Sequence, residues 1–407
     1  MSVKRFIFIM VILAMAKAGQ AVERIAYKNP TGKEFPILAW YSILGEGNLT
    51  PERYKELRSA GFNISFSHFS TADEVEKGLK ACRKTGVKLM ITCSGLENET
   101  EATVNRFKKD KMVAGWFLRD EPVVAGFPDL RKFRDHVYQA DQTHLTYLNL
   151  LPSIVSPQDL GTKTYEEYVQ RFVDEVDLPQ ISYDCYPVIQ EGENVVLRPQ
   201  FYNNLEDVRR VSLHTDRPFW AFCLSTAHDP YPIPTDTHLR IEAFSALAYG
   251  AQCIQHFTYW EPGAEIWNFH NAPIDKNGKR THVYYLVKNL NREIQNLAWV
   301  FLGAKAVSVG HTGENIPEGT ERLAALPAKV QKVEADGQGV LVSHLVNGKK
   351  HFLMVLNRDI DHSQNVAIQL EKGVKRVLPS GETKKLKDSG TQTVNLTAGN
   401  YVLYQLN

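Results

Sequence analysis

The chain has 407 residues, 43% of them hydrophobic, which exceeds one typical domain and supplies ample material for a large core. Its 47 basic residues nearly balance 46 acidic ones, and the net charge of +1 removes any electrostatic case for nucleic acid or a charged membrane as partner. The five cysteines are an odd number without close pairing, so they read as buried small hydrophobes, not a disulfide framework.

Lys4 and Arg5 precede an apolar run over 6–16, and Ala16-Lys17-Ala18 or Gly19-Gln20-Ala21 offers a small-residue cleavage site. The run is too short to span a bilayer, and no cysteine follows it to carry a lipid. Residues 1–21 are therefore expected to be a signal peptide. The mature protein is then exported, periplasmic or extracellular, without a membrane anchor.

From residue 22 to 304, strand and helix signals alternate. Strand 1 is predicted over 36–41, and Thr50-Pro51-Glu52 opens a helix with threonine as N-cap and proline at the first helical position. Strand 2 covers 63–68, and Thr71 caps the helix that stops at Gly86. Strand 3 covers 87–93 with a helix over 99–109. Strand 4 covers 113–119 with a helix over 128–140. Strand 5 (144–150) and strand 6 (180–186) are followed by helices over 165–176 and 203–213, the second after a long insertion. Strand 7 (218–224) leads through a loop rich in proline and aromatic residues to a helix over 238–249. Strand 8 (252–260) is followed by a last helix over 283–302. Apolar strands that alternate with helices eight times predict a parallel (β/α)8 TIM barrel, an α/β fold. An open doubly wound sheet fits less well, because no Gly-x-Gly-x-x-Gly turn follows strand 1.

After residue 304 the helical period stops. Short strands over 339–344, 350–356, 365–370 and 401–404 are separated by turn signals such as Asn347-Gly348, Ser380-Gly381 and Ala398-Gly399-Asn400. Residues 305–407 are expected to form a small all-β sandwich. No flexible linker precedes them, so this domain should pack on the barrel.

Strand 4 ends in Arg119-Asp120-Glu121-Pro122. Carboxylates at the C-terminal end of a barrel strand are poorly placed for packing and well placed for chemistry. A strand-4 end of the form Asn/Asp-Glu-Pro resembles the acid/base motif of the (β/α)8 glycoside hydrolases of the β-galactosidase and cellulase clan. The appended β domain also resembles those of many barrel glycosidases. The resemblance implies a hydrolase of O-glycosidic bonds in an oligo- or polysaccharide, with Glu121 as general acid. Two roles fit Asp120, which stands where the clan usually has Asn: holding the substrate 2-hydroxyl, or raising the pKa of Glu121 by like-charge proximity.

Glycoside hydrolysis also needs a second carboxylate. The clan carries it on strand 7, where this chain has Leu224-Ser225-Thr226 and no acid. Glu261, near the end of strand 8, is the expected replacement, with Asp184 on strand 6 as substitute. Strands 4 and 8 oppose each other across the barrel. A Glu121–Glu261 pair therefore predicts the wide carboxyl gap of an inverting enzyme. The remaining strand ends supply Trp40, Tyr41, His68, Asn149, Tyr183, Tyr186, His228, Tyr259 and Trp260 as substrate-binding candidates, because sugar faces stack on aromatic rings and hydroxyls need polar partners. No cofactor or metal is expected: strand 1 lacks His-x-His, and His-Glu-x-x-His is absent. A metal hydrolase built on His68 and His228 is the weaker rival. A non-catalytic carbohydrate-binding protein on a decayed hydrolase barrel is the stronger one, supported by the missing strand-7 acid.

Overall fold

The computed structural model describes residues 23–263, 267–386 and 389–407. The expected signal peptide over 1–21 lies outside the described residues. Among the described residues no helix is long and apolar enough to cross a membrane.

Eight parallel strands form the barrel: β1 (Ile37–Trp40), β2 (Ile64–Phe66), β3 (Lys88–Ile91), β4 (Val113–Asp120), β5 (Leu145–Asn149), β6 (Ile181–Tyr183), β7 (Phe219–Leu224) and β8 (Cys253–Phe257). Their order is β5-β4-β3-β2-β1-β8-β7-β6. Closure between β5 and β6 rests on a bridge from Leu150 to Tyr183 and on the Leu150 N–H donating to the Ser182 carbonyl at 2.8 Å. The layer of helices comprises α1 (Pro51–Ser59), α2 (Ala72–Cys82), α3 (Thr100–Phe107), α4 (Phe127–Ala140), α5 (Tyr165–Arg171), α6 (Gln200–Thr215), α7 (Asp236–Ala248) and α8 (His282–Asn296). Threonine starts five of them. Thr50, Thr71, Thr164, Thr235 and Thr281 each accept a first-turn N–H on the side-chain oxygen, a contact worth about 1 kcal/mol per helix.

Strand alternation divides the barrel residues into two cores. Leu38, Trp40, Phe66, Met90, Phe117, Tyr147, Trp220 and Phe222 fill the barrel interior. Their neighbours in sequence, such as Ile37, Trp116 and Ile254, pack outward on the helices. All five cysteines are free and buried, as their apolar settings implied.

Three segments differ from the sequence expectation. The insertion after β6 contains a hairpin, Val188–Glu191 with Asn194–Leu197. The helix expected over 165–176 is α-helical only to Arg171 and continues as a π turn over Phe172–Val176. Strand β6 stops at Tyr183, so Asp184, Cys185 and Tyr186 leave the sheet. The Leu224 N–H on β7 then finds no strand partner and donates to the buried Glu242 carboxyl at 2.6 Å.

The C-terminal domain pairs a six-stranded with a three-stranded antiparallel sheet around its own apolar core. It sits on α6, α7 and α8. Arg240 bridges Glu293 at 2.8 Å, the Tyr401 hydroxyl donates to Glu293 at 2.7 Å, and the Ser343 hydroxyl donates to the Ala248 carbonyl at 2.6 Å.

Candidate active site

The C-terminal ends of the strands open into a cleft of about 560 Å³. Asp120, Glu121, Asn149 and Asp184 lie on its floor, and Trp40, Tyr41, Tyr186, Phe222, His228, Tyr231, Phe257, Trp267 and Phe269 line it. Among the described residues no lysine or arginine does.

The polar floor is built on a chain of hydrogen bonds through the barrel centre. Tyr147 donates its hydroxyl to Gln255 Oε1 at 2.6 Å, Gln255 Nε2 donates to Ser182 Oγ at 2.9 Å, and Ser182 donates to Asn149 Oδ1 at 3.1 Å. With its oxygen so occupied, Asn149 presents its amide nitrogen to Asp184 Oδ1 at 2.8 Å and to Asp120 Oδ1 at 3.4 Å. The chain of bonds ties together β4, β5, β6 and β8, and alternation points Ser182 and Gln255 inward. Every link is satisfied, as a buried polar network requires.

The Glu121 and Asp184 carboxyls lie close enough to interact directly. Both are held above the usual carboxylate range: Glu121 by desolvation, and Asp184 by burial together with the charges of Glu121 and Asp120. Asp120 is pushed up to about 7 by desolvation and then by Glu121. Arg119 relieves none of this, because it points out toward Glu97 at 3.9 Å. Glu121 and Tyr41 also adopt left-handed backbone, at φ 47° and 46°. Non-glycine residues in that region carry strain that clusters at functional sites. The Glu121 N–H donates to the Asn149 carbonyl at 2.8 Å, which holds the turn.

The aromatic wall is continuous. Tyr186 contacts Phe257 and Tyr231, each with ring centroids 5.8 Å apart, and His228 packs on Phe269 at 4.7 Å and Tyr231 at 4.8 Å. Burial pushes the His228 ring down to about 4, so it is neutral at physiological pH. His68 stands beside the floor, 5.3 Å from the Tyr41 ring and 4.8 Å from Phe66.

Four sequence candidates do not face the cleft. Glu261 lies in the loop after β8, its N–H on the Ile274 carbonyl, and its charged neighbours are Asp275, Lys276 and His270, not the cleft acids. The expected Glu121–Glu261 pair therefore does not form, and the wide-gap arrangement built on it falls with it. Beyond Phe257, which joins Thr258 through a cis peptide bond, the chain follows the strand-1 loop: Tyr259 and Trp260 donate their N–H groups to the Trp40 and Tyr41 carbonyls, both at 3.0 Å. The Tyr259 ring is buried outward against Phe62 and Tyr284, and Trp260 packs under the Arg53 guanidinium. Tyr183 is also outward, against Phe219 in the helix-facing core, because it alternates with the inward Ser182 and Asp184. Tyr231, Phe257 and Phe269 line the cleft without standing among the sequence candidates. Phe257 was legible as the inward neighbour of Gln255 by period 2, whereas Tyr231 and Phe269 come from loops with no periodic signal.

Residues 153–297 match a family model described as β-galactosidase. Over nearly its whole length the chain is similar in structure to a β-galactosidase from Bacillus circulans sp. alkalophilus (TM-score 0.60, 9% identity, covering 92% of this chain and 99% of that one). It is equally similar to a β-galactosidase catalytic mutant from G. stearothermophilus (TM-score 0.60, 8% identity, 94% and 99% covered). The resemblance to the barrel glycoside hydrolases holds. The family match covers just over a third of the chain, and at 8 and 9% identity the structural likenesses show the shared fold. An α-amylase from Anoxybacillus shares the fold at TM-score 0.54 and 10% identity, with 93% and 99% covered. The chain spans only 60% and 58% of two further β-galactosidases, from Marinomonas ef1 and Halorubrum lacusprofundi. No curated protein matches it by sequence.

Proposed function

We propose that this protein hydrolyses a glycosidic bond with Glu121 as general acid and Asp184 as the second carboxylate. The observation that carries the reading is the direct Glu121–Asp184 contact on the floor of an aromatic-walled cleft. Hydrolysis needs one protonated and one ionised carboxyl. Two interacting carboxyls that burial holds above the usual carboxylate range favour such a divided state. On glycoside binding, Glu121 keeps the proton and delivers it to the departing oxygen. Asp184, fixed by Asn149, meets the anomeric carbon. The rings of Tyr41, Tyr186, Phe257 and Trp267 offer stacking faces for the sugar. Asp184 thus supplies from strand 6 the carboxylate that strand 7 lacks.

The test is turnover of an unactivated glycoside. Glu121→Gln and Asp184→Asn should each lower the rate by at least about a hundredfold, while Glu261→Gln leaves it near normal. Near-normal turnover by a folded Asp184→Asn protein refutes the assignment. Export rests on the N-terminal residues alone, and cleavage near Ala18 or Ala21 in material recovered outside the cytoplasm checks it.

A further inference from the structure

Arg198 stands behind the wall of the cleft and does not line it. With Pro199 it connects the hairpin inserted after β6 to α6, and its backbone is held on both sides. Its N–H donates to the Pro187 carbonyl at 2.7 Å, and its carbonyl accepts the Phe201 N–H at 3.2 Å. Among the described residues its guanidinium pairs with no carboxylate. Nε donates to the Tyr186 carbonyl at 3.2 Å, Nη2 donates to the Tyr231 hydroxyl at 3.3 Å, and the guanidinium carbon lies 5.6 Å from the centre of the Tyr231 ring. A planar guanidinium fork joins two such partners at set angles, which an ammonium cannot do.

Both partners belong to segments that build the site. Tyr186 lies two residues beyond Asp184, on the stretch where the chain has left β6 and its ladder of hydrogen bonds. Asn149 holds the Asp184 carboxyl from one side. Arg198 holds the backbone beyond it, through the Tyr186 carbonyl with its side chain and the Pro187 carbonyl with its N–H. Tyr231 comes from the loop after β7, which the same hairpin tethers through the Gln190 N–H on the Pro230 carbonyl at 2.8 Å. The Tyr186 and Tyr231 rings meet edge to face at 5.8 Å, and both line the cleft.

The contact with Tyr231 also has a direction. A guanidinium only donates, so the Tyr231 oxygen accepts there and its own proton remains available. No described residue accepts that proton. A phenol that accepts from a cation is also the stronger donor. We propose that Arg198 is a positioning residue for the hydrolysis: from outside the cleft it fixes the segment that carries Asp184 and leaves the Tyr231 hydroxyl as a free donor on the cleft wall. The inference rests on the reading above, in which Asp184 is the second carboxylate, and adds the device that holds it in place.

The experiment compares Arg198→Ala, Tyr231→Phe and the double variant with the wild type, on the nitrophenyl glycoside that the wild type cleaves fastest. Arg198→Ala should lower kcat by about tenfold or more, the scale of one charge-assisted hydrogen bond, while KM changes by less. A small displacement of a reacting group is felt in the chemical step more than in binding. Tyr231→Phe keeps the ring, removes the hydroxyl and should lower kcat/KM by about threefold or more. The double variant should lose less than the product of the two single losses, because Arg198 acts partly through that hydroxyl. If Arg198→Ala does not fold, Arg198→Lys replaces it with the same expectations, since lysine keeps the charge and cannot span both partners. A folded Arg198 variant with wild-type kcat overturns the inference. So does a loss confined to KM, or one that multiplies fully with that of Tyr231→Phe. Each of these leaves the glycosidase reading standing, because wild-type turnover and Asp184→Asn test that reading by themselves. A wild type that cleaves no glycoside overturns both.

Discussion

Asn149 and Asp184 are joined by a 2.8 Å hydrogen bond that links the barrel's interior to its reactive floor. The bond couples two strand ends that the barrel closes together, where the backbones of β5 and β6 meet through Leu150, Tyr183 and Ser182. It also sets a protonation state, because the Asn149 N–H opposes the burial that pushes Asp184 up.

Removing that donor should therefore shift the pH dependence. In Asn149→Ala both Asp184 and Asp120 lose a contact that favours their ionised forms. Their pKa values rise, and the acidic limb of kcat/KM moves to higher pH, with a rate loss of about tenfold or more. A pH–rate profile checks this, and an unmoved acidic limb contradicts it.

The stereochemical outcome follows from the contact between Glu121 and Asp184. Retaining glycosidases keep their carboxyls about 5–5.5 Å apart, and inverting ones leave about 6.5–9.5 Å for a water. The two carboxyls lie close together on the floor, which suits the shorter gap. Retention is expected, with Asp184 as nucleophile. Following the anomeric proton by NMR during early turnover decides it, and an inverted first product excludes Asp184 from that role.

Tyr147 anchors the far end of the hydrogen-bond chain. Tyr147→Phe leaves Gln255 Oε1 buried without a donor, which should cost about 1–3 kcal/mol of stability. Denaturant unfolding measures it. A loss near zero would mean that another donor reaches Gln255.

Glu242 makes stability depend on pH. It is buried, and desolvation raises its carboxyl to about 8 despite the bond from Leu224. A carboxyl raised on folding contributes stability that is full below its unfolded value near 4.5 and is lost as pH climbs toward 8. Asp120, Asp184 and Glu121 act with the same sign. The melting temperature should fall between pH 5 and 8, and Glu242→Gln, which keeps an acceptor for Leu224, should flatten part of that fall. Identical slopes in both proteins would remove Glu242 from the account.

The two domains should melt as one unit, because Arg240, Glu293 and Tyr401 form a largely buried ion-pair cluster across their contact. Arg240→Ala should destabilise the whole chain by about 3 kcal/mol. Two resolved calorimetric transitions in the wild type would contradict this.

The sequence by itself determined the barrel, its strand count and its β domain, because these depend on local signals: apolar strands at regular spacing, threonine caps and glycine stops. It also pointed to Glu121, since an acid pair at a strand end ahead of proline has no packing purpose. Only the tertiary structure decided between Glu261 and Asp184. That choice depends on which way a side chain faces once the chain has left its strand, and periodicity stops there. Past Phe257 the backbone pairs with the strand-1 loop, turning Tyr259, Trp260 and Glu261 away, while at Asp184 the chain leaves the sheet with its carboxyl held by Asn149. Both outcomes are long-range pairings between residues that lie far apart in the chain, and no local pattern encodes them.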